Sequence, residues 1–254
     1  MELLRNAFKA ALAERRYQNG MWCTIPDAGV VEMLAGCGYD WLLIDTEHSP
    51  LDAVGCLPLL QAAAPYPVSA VLRPGWNDPV EIKKMLDSGA QSLLIPYVQT
   101  AREAQQAVAA TRYPPDGIRG VAAITRATRY GAIAGYHQRA AKEICLMVQV
   151  ETVEALDRLD EIGTVPGVDG VFIGPGDLAA SMGLPGEAGN PKVQAKVVEA
   201  IARLSAMGCA AGLLAQDAGF LREAEAAGAV FMAVGVDMAL LRRAALGQRD
   251  GWRS

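Results

Sequence analysis

Eight short apolar runs recur along the chain: "GMWCTI" (20–25), "YDWLLID" (39–45), "PVSAVL" (67–72), "QSLLIPY" (91–97), "ICLMVQV" (144–150), "GVFIG" (170–174), "CAAGLL" (209–214) and "AVFMAVG" (229–235). Between them lie amphipathic stretches such as "DAGVVEMLAGCG", "DPVEIKKMLDSG", "TVEALDRLDEI" and "PKVQAKVVEAIARLSAMG", with apolar positions three or four apart. Several end in Gly just before the next run, where a helix stop is expected. Runs that are apolar throughout are strands buried on both faces, and a helix after each makes the sheet parallel. Eight such units in 254 residues predict an α/β chain folded as a single (β/α)8 TIM barrel over 1–254. An open doubly wound sheet is the alternative, but the first strand runs into "PDAGVVEM", which lacks the Gly-rich turn of that class. The leading "MELLRNAFKAALAERR" places Leu4, Phe8, Ala11 and Leu12 on one side, an extra N-terminal helix that plugs or caps the barrel. One connection is long. Between strands four and five the chain takes nearly fifty residues, including "YPPDGIRGVAAITRATRYGAIAGYHQRAAKE", an arginine-bearing loop with a further helix.

Composition narrows the partners. A net charge of −5 gives no basic footprint for nucleic acid or anionic membrane. No apolar run approaches the ~18 residues of a membrane span, and the charged first helix does not read as a signal peptide. The five cysteines (Cys23, Cys37, Cys56, Cys145, Cys209) form no CxxC pair and sit in apolar surroundings, so reduced thiols in a cytoplasmic protein are expected.

In such a barrel, chemistry belongs at the C-terminal strand ends. Strand two ends in Asp45, Glu47 and His48, strand three in Arg73, strand five in Gln149 and Glu151, and strand six runs into "GPGDLAASMG" with Asp177. Gln149 and Glu151, two apart, face the same way. Each residue also has a plainer reading. Ser49-Pro50 could start a helix, Glu151 and Asp177 could each favour a helix N-terminus, and Arg73 could be a solvated loop cation. Their convergence on one mouth favours a site. None of the six lysines sits at a C-terminal strand end, which disfavours a Schiff-base mechanism. The absence of a His cluster disfavours zinc. Two carboxylates without sulfur or imidazole partners suit a hard divalent cation, Mg²⁺ or Mn²⁺.

With "LLIDTEHSP", "VLRPG", "LLIPYV", "YPPDGIRG", "MVQVET" and "VFIGPGDLAASMG" in that order, the whole chain resembles the HpcH/HpaI family of metal-dependent class II pyruvate aldolases. The resemblance implies reversible cleavage of 4-hydroxy-2-keto acids to pyruvate, or a hydroxylated analogue such as hydroxypyruvate, and an aldehyde. Mg²⁺, Mn²⁺ or Co²⁺ would be held by Glu151 and Asp177. Gln149, the amides of Gly176 and Asp177, and Leu214 would contact the keto acid. Arg73 would stabilise the enolate oxygen, and His48 and Asp45 would handle protons through a water. A homohexamer, a trimer of dimers with the last helix exchanged between subunits, is implied, with Asp87 reaching the histidine of an adjacent subunit. Arg119, Arg126 and Arg129 are possible acceptor contacts. A keto-acid decarboxylase or an acyl-CoA lyase of the same superfamily is the alternative; short loops without a basic extension count against the latter.

Overall fold

The computed structural model describes residues 1–253. Eight parallel strands close into a barrel in chain order: β1 Gln18–Cys23, β2 Trp41–Asp45, β3 Ser69–Arg73, β4 Ser92–Ile95, β5 Cys145–Val150, β6 Gly170–Ile173, β7 Ala211–Leu214 and β8 Ala229–Val236. Among the described residues the helices are α1 Ala7–Ala13, α2 Ala28–Ala35, α3 Cys56–Ala63, α4 Pro79–Asp87, α5 Ala101–Thr111, α6 Tyr136–Glu143, α7 Val153–Asp157, α8 Leu159–Gly163, α9 Pro175–Ser181, α10 Pro191–Ala206, α11 Ala218–Ala226 and α12 Asp237–Arg253. The strand–helix turns supply their own starts. Asp27, Asp78, Thr100, Thr152 and Asp217 each accept a hydrogen bond from a backbone N–H of the first helical turn. The stretch expected as one helix over "TVEALDRLDEI" is two, broken at Arg158, whose φ of −104° and ψ of 13° leave the helical region. Buried apolar pairs lie on both sides of that break, Ala155 with Leu156 and Leu159 with Ile162.

Side-chain alternation divides the core in two. Leu42, Ile44, Leu72 and Val148 point outward into the layer shared with the helices. Trp41, Leu43, Val71, Met147, Phe172 and Phe231 point into the barrel. The first helix does plug the N-terminal rim. Phe8 is fully buried against Trp41 and Phe231, with ring centroids 5.6 and 6.0 Å away. Asn6 donates to Gln91 O, Ser92 Oγ and Glu143 O, each at 3.0 Å, and Lys9 pairs with Asp169 at 2.8 Å. A Cβ at Gly20 would overlap the Trp41 ring and one at Gly212 the Phe231 ring, so these strand positions admit only glycine beside the aromatics. At the other end of the chain, Asp237 anchors the start of α12 to Thr24 and Ile25. The rest of that helix leaves the barrel with Leu241 and Trp252 exposed.

Candidate active site

The inward parity that places Trp41 and Leu43 in the barrel core also turns Asp45 inward at the C-terminal end of β2. It does the same for Arg73 on β3, for Gln149 on β5 and for Glu151 just beyond the end of β5. Asp45 and Arg73 are register partners. All four are buried, although each carries a polar head.

Arg73 organises one half of the mouth. Its Nε donates to Asp45 Oδ1 at 2.8 Å and its Nη2 to Asp45 Oδ2 at 2.7 Å, a two-pronged pair. Trp22 Nε1 donates to Asp45 Oδ2 at 3.2 Å, and the guanidinium lies 4.7 Å from the Trp22 ring centroid. Burial works against ionising Asp45, but the hydrogen bonds and charge of Arg73, with the Glu47 amide and Trp22, hold its pKa below the ordinary carboxylate range. Arg73 Nη1 lies 2.6 Å from Glu47 Oε2, an ion pair without a well-directed hydrogen bond. Burial outweighs that attraction, and the charges of Asp45 and Asp177 add to it, pushing Glu47 up to about 7.

Glu151 forms the other half. Gln149 Nε2 donates to Glu151 Oε2 and the Tyr97 amide donates to Oε1 at 3.0 Å. Gln149 also faces Arg73, which donates to its Oε1 at 3.5 Å, so it bridges the two halves. The cradle needs Gly174, where a Cβ would run into the Glu151 carboxylate and the Gln149 amide. Burial, then the charges of Asp177 and Glu47, raise Glu151 to about 7 against its two hydrogen bonds. Arg73 thus pairs with Asp45 and Glu47, while Glu151 feels the further negative charges of Asp177 and Glu47. Among the described residues no cation pairs with Glu151 or Asp177. Excess negative charge on oxygen donors fits a hard divalent cation. No group of three or more His, Cys, Asp or Glu among the described residues forms a closed cage. A two-carboxylate site open to water and substrate oxygens matches that donor set.

The other expected residues divide. Gly176 and Asp177 lie exposed in the first turn of α9, and Leu214 is half-buried at the end of β7. His48 sits on the bend after β2 with its side chain 65% exposed, 4.0 Å from Glu47 Oε1. Ser49-Pro50 starts no helix: α3 begins at Cys56, and Ser49 Oγ instead donates to Asp45 O. Asp87 ends α4, which runs antiparallel to the strands, and pairs with Arg119 of its own chain at 2.7 Å, away from the mouth. Arg119 is fully buried over the Tyr113 ring, while Arg126 and Arg129 line a cleft with Gly89 and Gln91 at the N-terminal rim. Within one chain these arginines do not join the mouth. Trp22, Glu47 and Tyr97 join the site through their contacts with Asp45, Arg73 and Glu151. Glu47 stands between Asp45 and His48 at the end of β2, and Trp22 is readable from its inward parity with Gly20; nothing in the sequence signals the Tyr97 contact.

Residues 18–244 match the family model described as HpcH/HpaI aldolase/citrate lyase. The chain is 57% identical over 252 residues to a hydroxypyruvate/pyruvate aldolase of Sagittula stellata, covering 99% of this chain and 100% of that one. It is 51% identical over 243 residues to a 4-hydroxy-2-oxo-heptane-1,7-dioate aldolase of Escherichia coli, covering 95% and 93%. The crystal structure of an HpcH/HpaI aldolase/citrate lyase family protein from Burkholderia cenocepacia J2315 superposes with a TM-score of 0.94 at 36% identity, covering 98% of this chain and 100% of that one. The chain therefore belongs to the HpcH/HpaI aldolase/citrate lyase family.

Proposed function

We propose that this protein is a divalent-metal-dependent aldolase that reversibly cleaves 4-hydroxy-2-keto acids to pyruvate, or hydroxypyruvate, and an aldehyde. The names of the relatives support the reaction class. The observation that carries the reading is the mouth itself, where Asp45 and Glu47 occupy the one fixed guanidinium and no cation pairs with the buried Glu151 beside Asp177. Glu151 and Asp177 hold the ion, which when bound polarises the keto group as a Lewis acid. Arg73, locked by Asp45, presents its Nη1 edge where enolate charge develops. Gln149 orients the keto acid between Arg73 and Glu151. The Gly176 and Asp177 amides receive its carboxylate, and Leu214 forms an apolar wall. His48 and Asp45 exchange the proton of the 4-hydroxyl through a water. EDTA is expected to abolish cleavage of a 4-hydroxy-2-keto acid, with Mg²⁺, Mn²⁺ or Co²⁺ restoring it. Full activity in exhaustively chelated enzyme would exclude the metal assignment. Turnover of oxaloacetate or acyl-CoA thioesters alone would reassign the bond broken.

The assembly is part of the same proposal. The exposed Leu241 and Trp252 on α12 suit a helix covered by another subunit, in a homohexamer built as a trimer of dimers. Asp87 would then reach the partner subunit's histidine. The free cysteines, buried at Cys23, Cys56 and Cys145, are compatible with a cytoplasmic setting. Activity measured against protein concentration alongside sedimentation tests the shared site. A fully active monomer would return Asp87 to its intrachain pair with Arg119.

A further inference from the structure

The mouth has an outer aromatic layer to which the roles above give no part. Trp76, between β3 and α4, and Tyr97, just after β4, stack with centroids 5.5 Å apart and planes at 29°, yet stay 55% and 40% exposed. Tyr97 holds φ at 53°, in the left-handed region that side-chain-bearing residues enter only at a cost. The geometry has a purpose visible in the next two amides. Val98 N donates to Gln149 O at 3.0 Å and extends the β4–β5 ladder, while Tyr97 N donates to Glu151 Oε1 at 3.0 Å. In extended backbone, successive N–H groups point to opposite sides, so both could not address β5. The left-handed step at Tyr97 reconciles them.

We propose that Tyr97 is a positioning residue: stacking on Trp76 holds its backbone left-handed, and the amide so presented fixes the Glu151 carboxylate. The functional consequence rests on the reading of Glu151 as a metal ligand. The test is Mn²⁺ affinity of the full-length, substrate-free protein, read by electron paramagnetic resonance of free Mn²⁺. Tyr97→Val, β-branched and poorly suited to left-handed backbone, is expected to raise the Kd about tenfold. Tyr97→Gly, which keeps the amide and accepts the conformation without cost, is expected to stay within about twofold of wild type. Trp76→Ala is expected to raise the Kd about fivefold, the scale of one aromatic pair, and Trp76→Phe to restore it. In the Tyr97→Gly background Trp76→Ala is expected to do nothing further. A Tyr97→Gly variant at least as impaired as Tyr97→Val, or Trp76→Ala without effect on the Kd, would overturn the proposal. A wild-type protein that binds no Mn²⁺ would instead remove the metal reading. The lock is then decided by hydrogen exchange at the Tyr97 amide, expected to be at least about tenfold faster in Trp76→Ala and Glu151→Ala than in wild type; equal rates would overturn it.

Discussion

At the N-terminal rim the barrel interior is filled by Phe8, Trp41 and Phe231; at the C-terminal rim the same inward-facing rows end in Asp45, Arg73, Gln149 and Glu151. At the plugged end the Asn6 amide finds three acceptors, and Lys9 meets Asp169. At the mouth the charges are mismatched, and burial with mutual repulsion pushes Glu47 and Glu151 up to about 7. Close packing is satisfied by shape alone, whereas an uncompensated set of buried acids is stable only with protons or a cation. The difference separates an end built for stability from an end built to take up charge.

The largest expected effect breaks the mouth alone. Arg73→Ala is expected to lower kcat/KM for cleavage of a 4-hydroxy-2-keto acid by roughly 10³-fold, the scale of a lost charge-stabilising donor. Thermal stability falls as well, because Asp45 is left buried without its ion-pair partner. Arg73→Lys restores only part, since an ammonium lacks the planar fork. Wild-type turnover in Arg73→Ala would make the guanidinium a structural group like those at the other end.

The next effect breaks the plug. Phe8→Ala is expected to cost about 3–5 kcal/mol in urea unfolding, while kcat per folded molecule stays within about twofold. A proportional loss of kcat would show that the two ends are coupled.

The smallest effect is on pH and sharpens the contrast in charge. In chelated protein, Glu47 and Glu151 titrate at about 7 in the folded chain and near 4.5 in the unfolded one. The native state therefore holds more protons between those values. The contribution of the two glutamates to stability is full below pH 4.5 and is lost as pH rises through about 7, a few kcal/mol at most. Asp45 acts oppositely: its depressed pKa contributes stability above its ordinary 3.8 that is lost on acidification through the folded value. Denaturant midpoints against pH measure this slope, which Glu151→Gln is expected to roughly halve and Phe8→Ala to leave alone. A flat profile across the window would mean that the acids are better solvated than their burial implies.

Most of the scaffold was legible because each strand announces itself by continuous apolar character and each helix by period and cap. Thus "YDWLLID" and "ICLMVQV" fall on β2 and β5 within two residues. Asp45, Arg73, Gln149 and Glu151 were legible for the same reason, since parity along a strand fixes which side chains share the interior. What sequence could not supply is contact between strands. Trp22 meets Asp45 and Tyr97 meets Glu151 only because closure sets the stagger of one strand against its neighbours. The break at Arg158 and the backbone turn at Tyr97 were hidden too, because tertiary packing overrides local preference there.

The plug carries a consequence for how the molecule is made. Phe8 lies near the start of the chain and its partner Phe231 on the last strand, and β1 itself pairs with β8. During synthesis the first helix therefore emerges long before the surface that will cover it. No nascent chain lacking β8 can seal this interior, and its aromatic rings stay available to chaperones until β8 has emerged. The seal over the first helix is completed by the last strand of the barrel.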